Sequence, residues 1–379
     1  MADARVAKLA DLLVSYSVEL KRGQLVRIDA GTVAAPLVRE LFRAAIRAGA
    51  NPYSRVGVEG TEHIVLSEGT DEQIAFVSEI ERREVEELDA LITIWGDRNT
   101  RALSQADPKR VSRRMAAHRA LSNRYWERID AGEARWVGTR YPTYGHAQDA
   151  EMALEEYEEF VYAACHVREG EDPVAHWQGV SGELNARARE LDGFREFRVV
   201  GPDTDIRFVT EGRNWVAADG RLNMPDGEIF TSPVETETEG EIRFSFPAIF
   251  SGRAVEDVRL RFEGGRVVAA EAASGDDYLQ SLLEMDDGAR ILGEAAFGLN
   301  YEIDRFTRDI LFDEKIGGTL HFALGSSFKR LGGRNESGLH WDMICDLRDE
   351  GEVYADGELV WRAGRFLRQP QPVEPVAAA

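Results

Sequence analysis

The chain has 379 residues, of which 43% are hydrophobic and 30% are charged. This length exceeds one ordinary domain, so we expect two domains, and the composition is that of a globular protein with sizeable cores. The 68 acidic and 46 basic side chains give a net charge of -22, and a surface this acidic disfavours nucleic acid and anionic lipid as partners.

The first part of the chain alternates between helical and strand patterns. The apolar spacing predicts helices over residues 5–22, 36–50, 71–88, 152–167 and 182–194, and strands over residues 25–31, 51–59 and 89–96. Strands and helices that alternate at this spacing favour βαβ units. We therefore expect an α/β N-terminal domain over residues 1–194, with a mostly parallel sheet.

From about residue 195 the pattern changes to short alternating strands broken by Gly, Asp and Pro. It predicts a hairpin that turns at Glu263-Gly264-Gly265 and a helix around residues 276–297. We expect a β-rich α+β C-terminal domain over residues 195–366. The proline-rich segment 367–379 is expected to be a flexible tail.

The cellular location is indicated by features that the sequence lacks. Cys165 and Cys345 form no CxxC motif and are typical of buried thiols in a reducing cytoplasm. Charges interrupt the apolar residues of the first helix, unlike those of a signal peptide. We see no stretch of the roughly 20 apolar residues that would span a bilayer. The expected location is cytoplasmic, without membrane attachment.

The segment SGLHWDMICDL (337–347) is the first candidate functional feature. On a strand, its apolar residues would face one side and aim His340 and Asp342 together at the other. The segment GTLHFALG (318–325) presents His321 in the same way. Imidazole and carboxylate suit zinc, iron, manganese or cobalt. The pattern alone leaves a metal site and an incidental strand pair equally open.

Five longer segments carry a family resemblance. They are YPTYGHAQDAEM (141–152), NMPDGEIFTSP (223–233), LGEAAFGLN (292–300), DEKIGGTLHFALG (313–325) and NESGLHWDMICDL (335–347). Together they resemble signature segments of the metalloaminopeptidases of the aminopeptidase T and aminopeptidase S type. The likeness extends over nearly the whole chain.

The resemblance implies a cytoplasmic, homodimeric exopeptidase that acts on short peptides. It also implies two divalent ions in the C-terminal domain, most simply zinc or cobalt, with manganese or iron as alternatives. Carried over motif by motif, the resemblance implies that the metal ligands are Glu228, Glu294, His321, His340 and Asp342. Glu294 would be shared by both ions, and Glu314 would be an additional ligand or a catalytic base.

Three positions in or beside these motifs leave alternatives open. Outside its motif, Glu228 would be a solvated turn residue. Lys315 is expected to form a surface salt bridge, with compensation of the negative charge of Glu294 as the alternative. Phe328 stands where the family has a tyrosine, whose hydroxyl could hydrogen-bond an oxyanion or touch a metal. This departure puts peptidase activity in doubt more than metal binding.

Two other functions compete with the peptidase. An iron(II) ring-cleaving dioxygenase, such as the related 2,5-dihydroxypyridine dioxygenases, would use His321, His340 and Asp342 as a 2-His-1-carboxylate triad. Retention of both Glu228 and Glu294 argues against it, because a mononuclear iron site needs neither. The second alternative is a dimeric binding scaffold that has kept the fold without catalysis.

Overall fold

The computed structural model describes residues 3–370, and the chain separates into two compact units. Among the described residues, one unit contains residues 3–176 and Gly220–Pro225, and the other contains Trp177–Asp219 and residues 226–370. The helix Pro173–Leu191 crosses this division, whereas the expected domain boundary was residue 194; the domain limits stay predictions. From residue 371 onward, the expected tail lies outside the described residues.

A parallel sheet forms the centre of the first unit, which confirms the predicted α/β class. Its strands, in spatial order, are Asn51–Gly57, Leu25–Gly31, Ala90–Trp95, Arg135–Arg140 and Asn223–Met224, and all neighbours are parallel. Along Ala90–Trp95 buried and half-buried residues alternate and none is exposed, so both faces of this central strand are covered. The last strand comes from residues 220–225, which return to this unit from later in the chain.

The helices of the first unit agree with the sequence in part. They are Ala4–Leu12 with a π-helical turn at Leu13–Ser17, a short 3₁₀ turn at Thr32–Ala34, and Ala35–Arg47, Thr61–Glu68, Asp71–Ile74, Glu79–Glu87, Pro108–Asp130, Tyr144–Asp149 and Leu154–Ala164. The helix predicted over 71–88 is two helices. Each begins with its own capping box, Thr70 with Gln73 and Ser78 with Glu81, and the second cap requires a new helix start.

The second unit consists mainly of antiparallel sheets. An eight-stranded sheet has the order Arg266–Glu271, Val258–Glu263, Glu239–Phe244, Thr204–Val209, Glu196–Gly201, Glu352–Ala355, Glu358–Arg362 and Arg365–Phe366. A five-stranded sheet has the order His340–Asp346, Thr319–Gly325, Leu292–Gly298, Glu228–Thr231 and Val216–Ala218. The other elements are the pair Ala248–Phe250 and Arg253–Val255, the helices Pro173–Leu191, Asp276–Leu283 and Ile310–Asp313, and a 3₁₀ turn at Lys329–Leu331. The β-rich α+β class is confirmed.

The five-stranded sheet has an apolar face and a polar face. Its apolar face packs on the eight-stranded sheet in one core, where the Phe322 ring lies 5.8 Å from Phe208 and 6.4 Å from Phe244. Trp341 belongs to the same core. Full burial of each such side chain contributes about 1.5–3 kcal/mol. This packing fixes the sheet register and leaves His321, which follows the opposite alternation, on the other face.

The helix predicted around 276–297 is wrong in its second half. The helix ends at Leu283, and residues Leu292–Gly298 form the central strand of the five-stranded sheet. All seven residues of this strand are buried. A continuous apolar run has no alternation, so periodicity cannot separate a buried strand from a buried helix.

Two expectations about compartment can be compared with the fold. Cys165 and Cys345 are both buried, and burial raises the pKa of each thiol. Within residues 3–370, no helix combines the length and the hydropathy that crossing a bilayer requires.

Candidate metal centre

Four neighbouring strands supply five of the six side chains that the sequence analysis singled out, and the sixth, Glu314, directly follows the helix Ile310–Asp313. Glu228 opens the strand Glu228–Thr231, and the next strands carry in turn Glu294, His321, and the pair His340 and Asp342. Adjacent strands lie about 4.8 Å apart. Side chains from four strands can therefore converge on one patch of the sheet face.

Small residues between these side chains leave room for them. Ala323 is paired with Glu294 on one side and with Asp342 on the other. Ala296 is opposite His321, and Gly298 is opposite Glu228. Because directly opposed residues share a sheet face, a larger side chain at these alanines would occupy the space between the charged groups.

A β-bulge at Gly293 sets the direction of Glu294. Leu292 pairs with Leu324 and Glu294 pairs with Ala323, so Gly293 is an extra residue in its strand. A Cβ atom at this position would lie 2.4 Å from the carbonyl oxygens of Gly325 and Ser326, so only glycine fits. The bulge lets Leu292 enter the apolar core while Glu294 faces the polar side.

Two groups of potential ligand atoms lie side by side on this face. We call Glu228, Glu314 and His321 the Lys315 group, after the lysine that contacts it, and Glu294, His340 and Asp342 the Asp342 group. Within each group the potential ligand atoms lie within 4.8 Å of one another. All six residues that the resemblance implied are thus brought together.

Glu294 lies between the two histidines. Its Oε1 is 3.7 Å from His321 Nε2, and its Oε2 is 3.2 Å from His340 Nε2. His321 Nε2 also lies 3.5 Å from Glu228 Oε2, and His340 Nε2 lies 3.6 Å from Asp342 Oδ2. Each carboxylate oxygen of Glu294 therefore faces a different group, which is the arrangement that a shared ligand needs.

The two imidazoles differ in how they are held. His340 Nδ1 lies 2.9 Å from the carbonyl oxygen of Ser326. A carbonyl oxygen only accepts, so Nδ1 carries the proton and donates it, and Nε2 faces the carboxylates. Among the described residues, His321 Nδ1 and Glu228 Oε2 are buried without a hydrogen-bond partner. Buried polar atoms of this kind are costly unless another group completes the site.

The charges of the site call for cations. Burial raises the pKa of Glu228 well above its ordinary value and that of Asp342 to about 6. Burial also raises the pKa of Glu294, but the facing imidazoles of His321 and His340 outweigh it and leave this pKa at about 2. Burial lowers the pKa of both histidines, and the carboxylates outweigh it, to about 9 for His321 and about 10 for His340. Without a metal ion, protons supply the positive charge that divalent ions would otherwise provide, so the donor set fits such ions.

Lys315 is fully buried, so the expected surface salt bridge is wrong. Its Nζ contacts the Glu314 carboxylate and lies 4.0 Å from Glu228 Oε1. Burial lowers the pKa of Lys315, but the charges of Glu314 and Glu228 outweigh it, and the net shift is upward. The lysine therefore stays an ammonium and compensates the buried negative charge of Glu314 and Glu228, rather than that of Glu294 as the alternative reading held.

The sequence analysis missed two contributors beside the site. Asp226 is buried two residues before Glu228, and its charge is one of the forces that raise the pKa of Lys315. Its position in the PDGE motif was the available signal. The Ser326 carbonyl, which orients His340, is a backbone group and leaves no trace in residue types.

Phe328, the departure from the family pattern, lies at the edge of the site. Its ring centroid is 5.6 Å from that of His340, nearly edge-on at 69°, and 5.1 Å from that of Phe230. Its backbone N–H donates to Ser232 Oγ at 2.9 Å. The position where a tyrosine was expected is therefore next to one of the candidate ligands.

Carboxylates and imidazoles that converge in a partly buried patch are typical of metal-dependent hydrolases. The family model described as "Thermophilic metalloprotease (M29)" matches residues 2–366. The chain therefore belongs to the M29 metalloprotease family. This match confirms the resemblance found in the sequence motifs.

Curated relatives and a solved structure agree with this assignment. The chain is 29% identical to aminopeptidase T of Thermus thermophilus, covering 95% of this chain and 98% of that protein. It is 28% identical to aminopeptidase 2 of Geobacillus stearothermophilus, covering 95% and 97%. The structure of wild-type AmpT from Thermus thermophilus superposes with a TM-score of 0.84 at 27% identity, covering 96% of this chain and 99% of that one.

Proposed function

We propose that this chain releases N-terminal amino acids from short peptides by a reaction that depends on two divalent ions. The enzyme is a metalloaminopeptidase, a hydrolase, as its family and its aminopeptidase relatives indicate. The observation that carries the proposal is the convergence of four carboxylates and two imidazoles on one partly buried patch of the sheet and its adjoining loop.

Each ligand group would hold one ion. Glu228, Glu314 and His321 form one donor set, and Glu294, His340 and Asp342 form the other. Glu294 would be a ligand of both ions, since its two oxygens face different histidines. Oxygen and nitrogen donors without sulfur suit zinc or cobalt, and also accept manganese or iron. When bound, such a pair of ions lowers the pKa of a water molecule and polarises a carbonyl group.

Other groups of the protein orient the candidate ligands and neutralise part of their charge. The Ser326 carbonyl holds the His340 ring so that Nε2 faces the site. Lys315 balances part of the charge of Glu228 and Glu314. Glu314, whose side chain is 18% exposed, is the carboxylate best placed to exchange a proton with a substrate or with solvent, so we assign it the role of base beside its role as ligand.

The acidic donor set also suits the substrate. A peptide with a free N-terminus carries a positively charged or metal-binding amine at the end that is cleaved. Excess carboxylates attract that amine, whereas a blocked N-terminus loses both the charge and the lone pair. The overall charge of -22 acts in the same direction.

The dioxygenase alternative is not favoured by the site. A 2-His-1-carboxylate centre needs only three ligands, whereas Glu228 and Glu294 are also buried against the same histidines. Buried carboxylates without a role would be a large cost to the fold. In a two-ion site both carboxylates have a role, Glu228 as a ligand of one ion and Glu294 as a ligand of both.

Location and assembly are parts of the same proposal. We expect a cytoplasmic homodimer without a nucleic acid partner, on the strength of the family resemblance and the acidic composition. Light scattering on the eluting peak of a gel filtration column tests the dimer. A mass of one chain at micromolar concentration would contradict it.

The activity test compares matched substrates. Aminoacyl-arylamides with a free amine should be hydrolysed after incubation with cobalt or zinc, and their N-acetylated counterparts should not. Metal content is measured on the same samples. One iron per chain, with oxygen uptake on hydroxylated aromatics and no arylamide hydrolysis, would overturn the proposal in favour of the dioxygenase.

A further inference from the structure

The two ligand groups have different charged neighbours. In the Lys315 group, the ammonium contacts Glu314 and lies 4.0 Å from Glu228. Within residues 3–370, no lysine or arginine nitrogen lies within 4.0 Å of the carboxylates of Glu294 or Asp342, whose nearest groups of opposite charge are histidines. One group thus already carries a permanent cation, and the other does not.

That cation competes with a metal ion. Lys315 is fully buried, so it cannot swing into solvent when an ion arrives. Its charge lies against two of the three donors that the ion would use, in surroundings where charges are poorly screened. An ion in this group must share Glu228 and Glu314 with the ammonium. The repulsion between the two cations lowers the affinity for the ion.

The histidines differ in the same direction. His340 is oriented by the Ser326 carbonyl at 2.9 Å, whereas His321 Nδ1 has no hydrogen-bond partner among the described residues. A partner on the far nitrogen fixes the tautomer and the ring orientation, and its loss typically costs about 10–100-fold in metal affinity. This is an observation independent of the lysine.

We infer that the two metal positions are unequal. The Asp342 group is the tight position, and the Lys315 group is a weaker position whose ion exchanges with the medium. The inference rests on the proposed two-ion function and adds a regulatory property to it. Because both ions are needed for hydrolysis, activity follows the free metal concentration over the range in which the weaker position fills.

Lys315 is therefore a positioning residue that sets the affinity of one ion. It holds Glu228 and Glu314 in place without a metal, and it keeps the affinity for the second ion low. Its replacement by methionine removes the charge and retains an unbranched chain of similar length. This change should strengthen the weaker position while leaving the tighter one unchanged.

Isothermal titration calorimetry, in which cobalt is added to the metal-free protein, tests the inference. The unmodified protein should show two binding steps separated by at least about 10-fold in affinity. In Lys315→Met the ratio between the two dissociation constants should fall by about 10-fold or more. Lys315→Arg, which keeps the charge, should retain two separated steps. Lys329→Met is the matched control, because Lys329 is exposed and pairs with Glu336.

Two further variants identify the steps without changing the lysine. Asp342→Asn should abolish the tight step, and Glu314→Gln should weaken only the weaker step. Circular dichroism on each variant checks that it is folded, so the test stands even where Lys315→Met does not fold. Two equal steps in the unmodified protein, or loss of the tight step in Glu314→Gln, would overturn the inference. Binding of fewer than two ions would instead overturn the proposed function.

Discussion

The two five-stranded sheets handle buried charge in different ways. In the parallel sheet of the first unit, Arg27 lies 2.9 Å from Asp29 and 3.0 Å from Glu84, and Arg55 also contacts Glu84. In the antiparallel sheet of the second unit, Glu294 and His321 lie in strands whose seven residues are all buried. The first sheet pairs its charges with one another and with Glu84 of the helix Glu79–Glu87, and the second collects acidic groups that exceed its fixed cations.

The difference indicates which sheet carries function. Four carboxylates of the second sheet and its adjoining loop face one lysine and two titratable imidazoles. Burial of unbalanced charge costs several kcal/mol per ion, and a fold retains it only where something compensates. In the first network two arginines balance Asp29 and Glu84 in charge, whereas under the proposed function divalent ions would balance the acidic groups of the second sheet.

Glu294→Ala gives the largest expected effect in this comparison. The change removes the carboxylate that faces both histidines, so hydrolysis should fall by at least about 10³-fold and metal content should fall sharply. Arylamide hydrolysis and elemental analysis on the same sample check both outcomes. Near-normal turnover in this variant is incompatible with a shared Glu294 ligand.

Metal removal should destabilise the protein. An ion present at about 1,000 times its dissociation constant stabilises the folded state by about 4 kcal/mol, which corresponds to a fall of roughly 10 °C in Tm when it is removed. Scanning calorimetry with and without chelator measures the shift. The Glu294→Ala protein serves as control, and an equal shift there would place the stabilising ion elsewhere.

Glu84→Gln tests the first sheet by the same logic. The variant breaks a largely buried contact with Arg27 and Arg55, and the free energy of unfolding should fall by about 2 kcal/mol. Metal content and specific activity should stay unchanged, because the network has no share in the metal site. Chemical denaturation measures the free energy of unfolding, and elemental analysis measures the metal content. A loss of metal would contradict the claim that only the second sheet takes part in metal binding.

Phe328→Tyr has the smallest expected effect. The ring lies edge-on to His340, and a hydroxyl restored at this position could donate to a developing oxyanion. We expect turnover of aminoacyl substrates to rise by about 10-fold, with metal content unchanged. Phe230→Tyr, in the neighbouring ring, is the matched control. Equal rates for the original and the Phe328 variant would show that this chain does not use a tyrosine there.

Strands with clear alternation were predictable, and so were the site residues that lie on them. GTLHFALG and HWDMICD form strands at the expected places and aim their polar residues as alternation requires. Local motifs supplied Glu228, Glu294 and Glu314. What brings these together is strand order, in which Glu228–Thr231 pairs with a strand more than sixty residues later, and such long-range pairing has no local signature.

Other elements were missed for physical reasons. The helix Pro108–Asp130 is charged around most of its surface, and its apolar stripe is confined to Leu121, Tyr125 and Ile129 in its second half, too short to stand out in the sequence. The strand Leu292–Gly298 is buried throughout, so its sequence shows no alternation that would identify it as a strand. Lys315 can be buried because carboxylates surround it. One of them, Glu228, lies in a distant segment of the sequence, so this contact could not be predicted.

Anomalous diffraction from crystals soaked in cobalt tests the central claim most directly. We predict two peaks per chain on the polar face of the five-stranded sheet, one beside Glu228, Glu314 and His321 and one beside His340 and Asp342, with Glu294 between them. A single peak beside His321, His340 and Asp342 would contradict the two-ion site, and so would peaks away from this sheet.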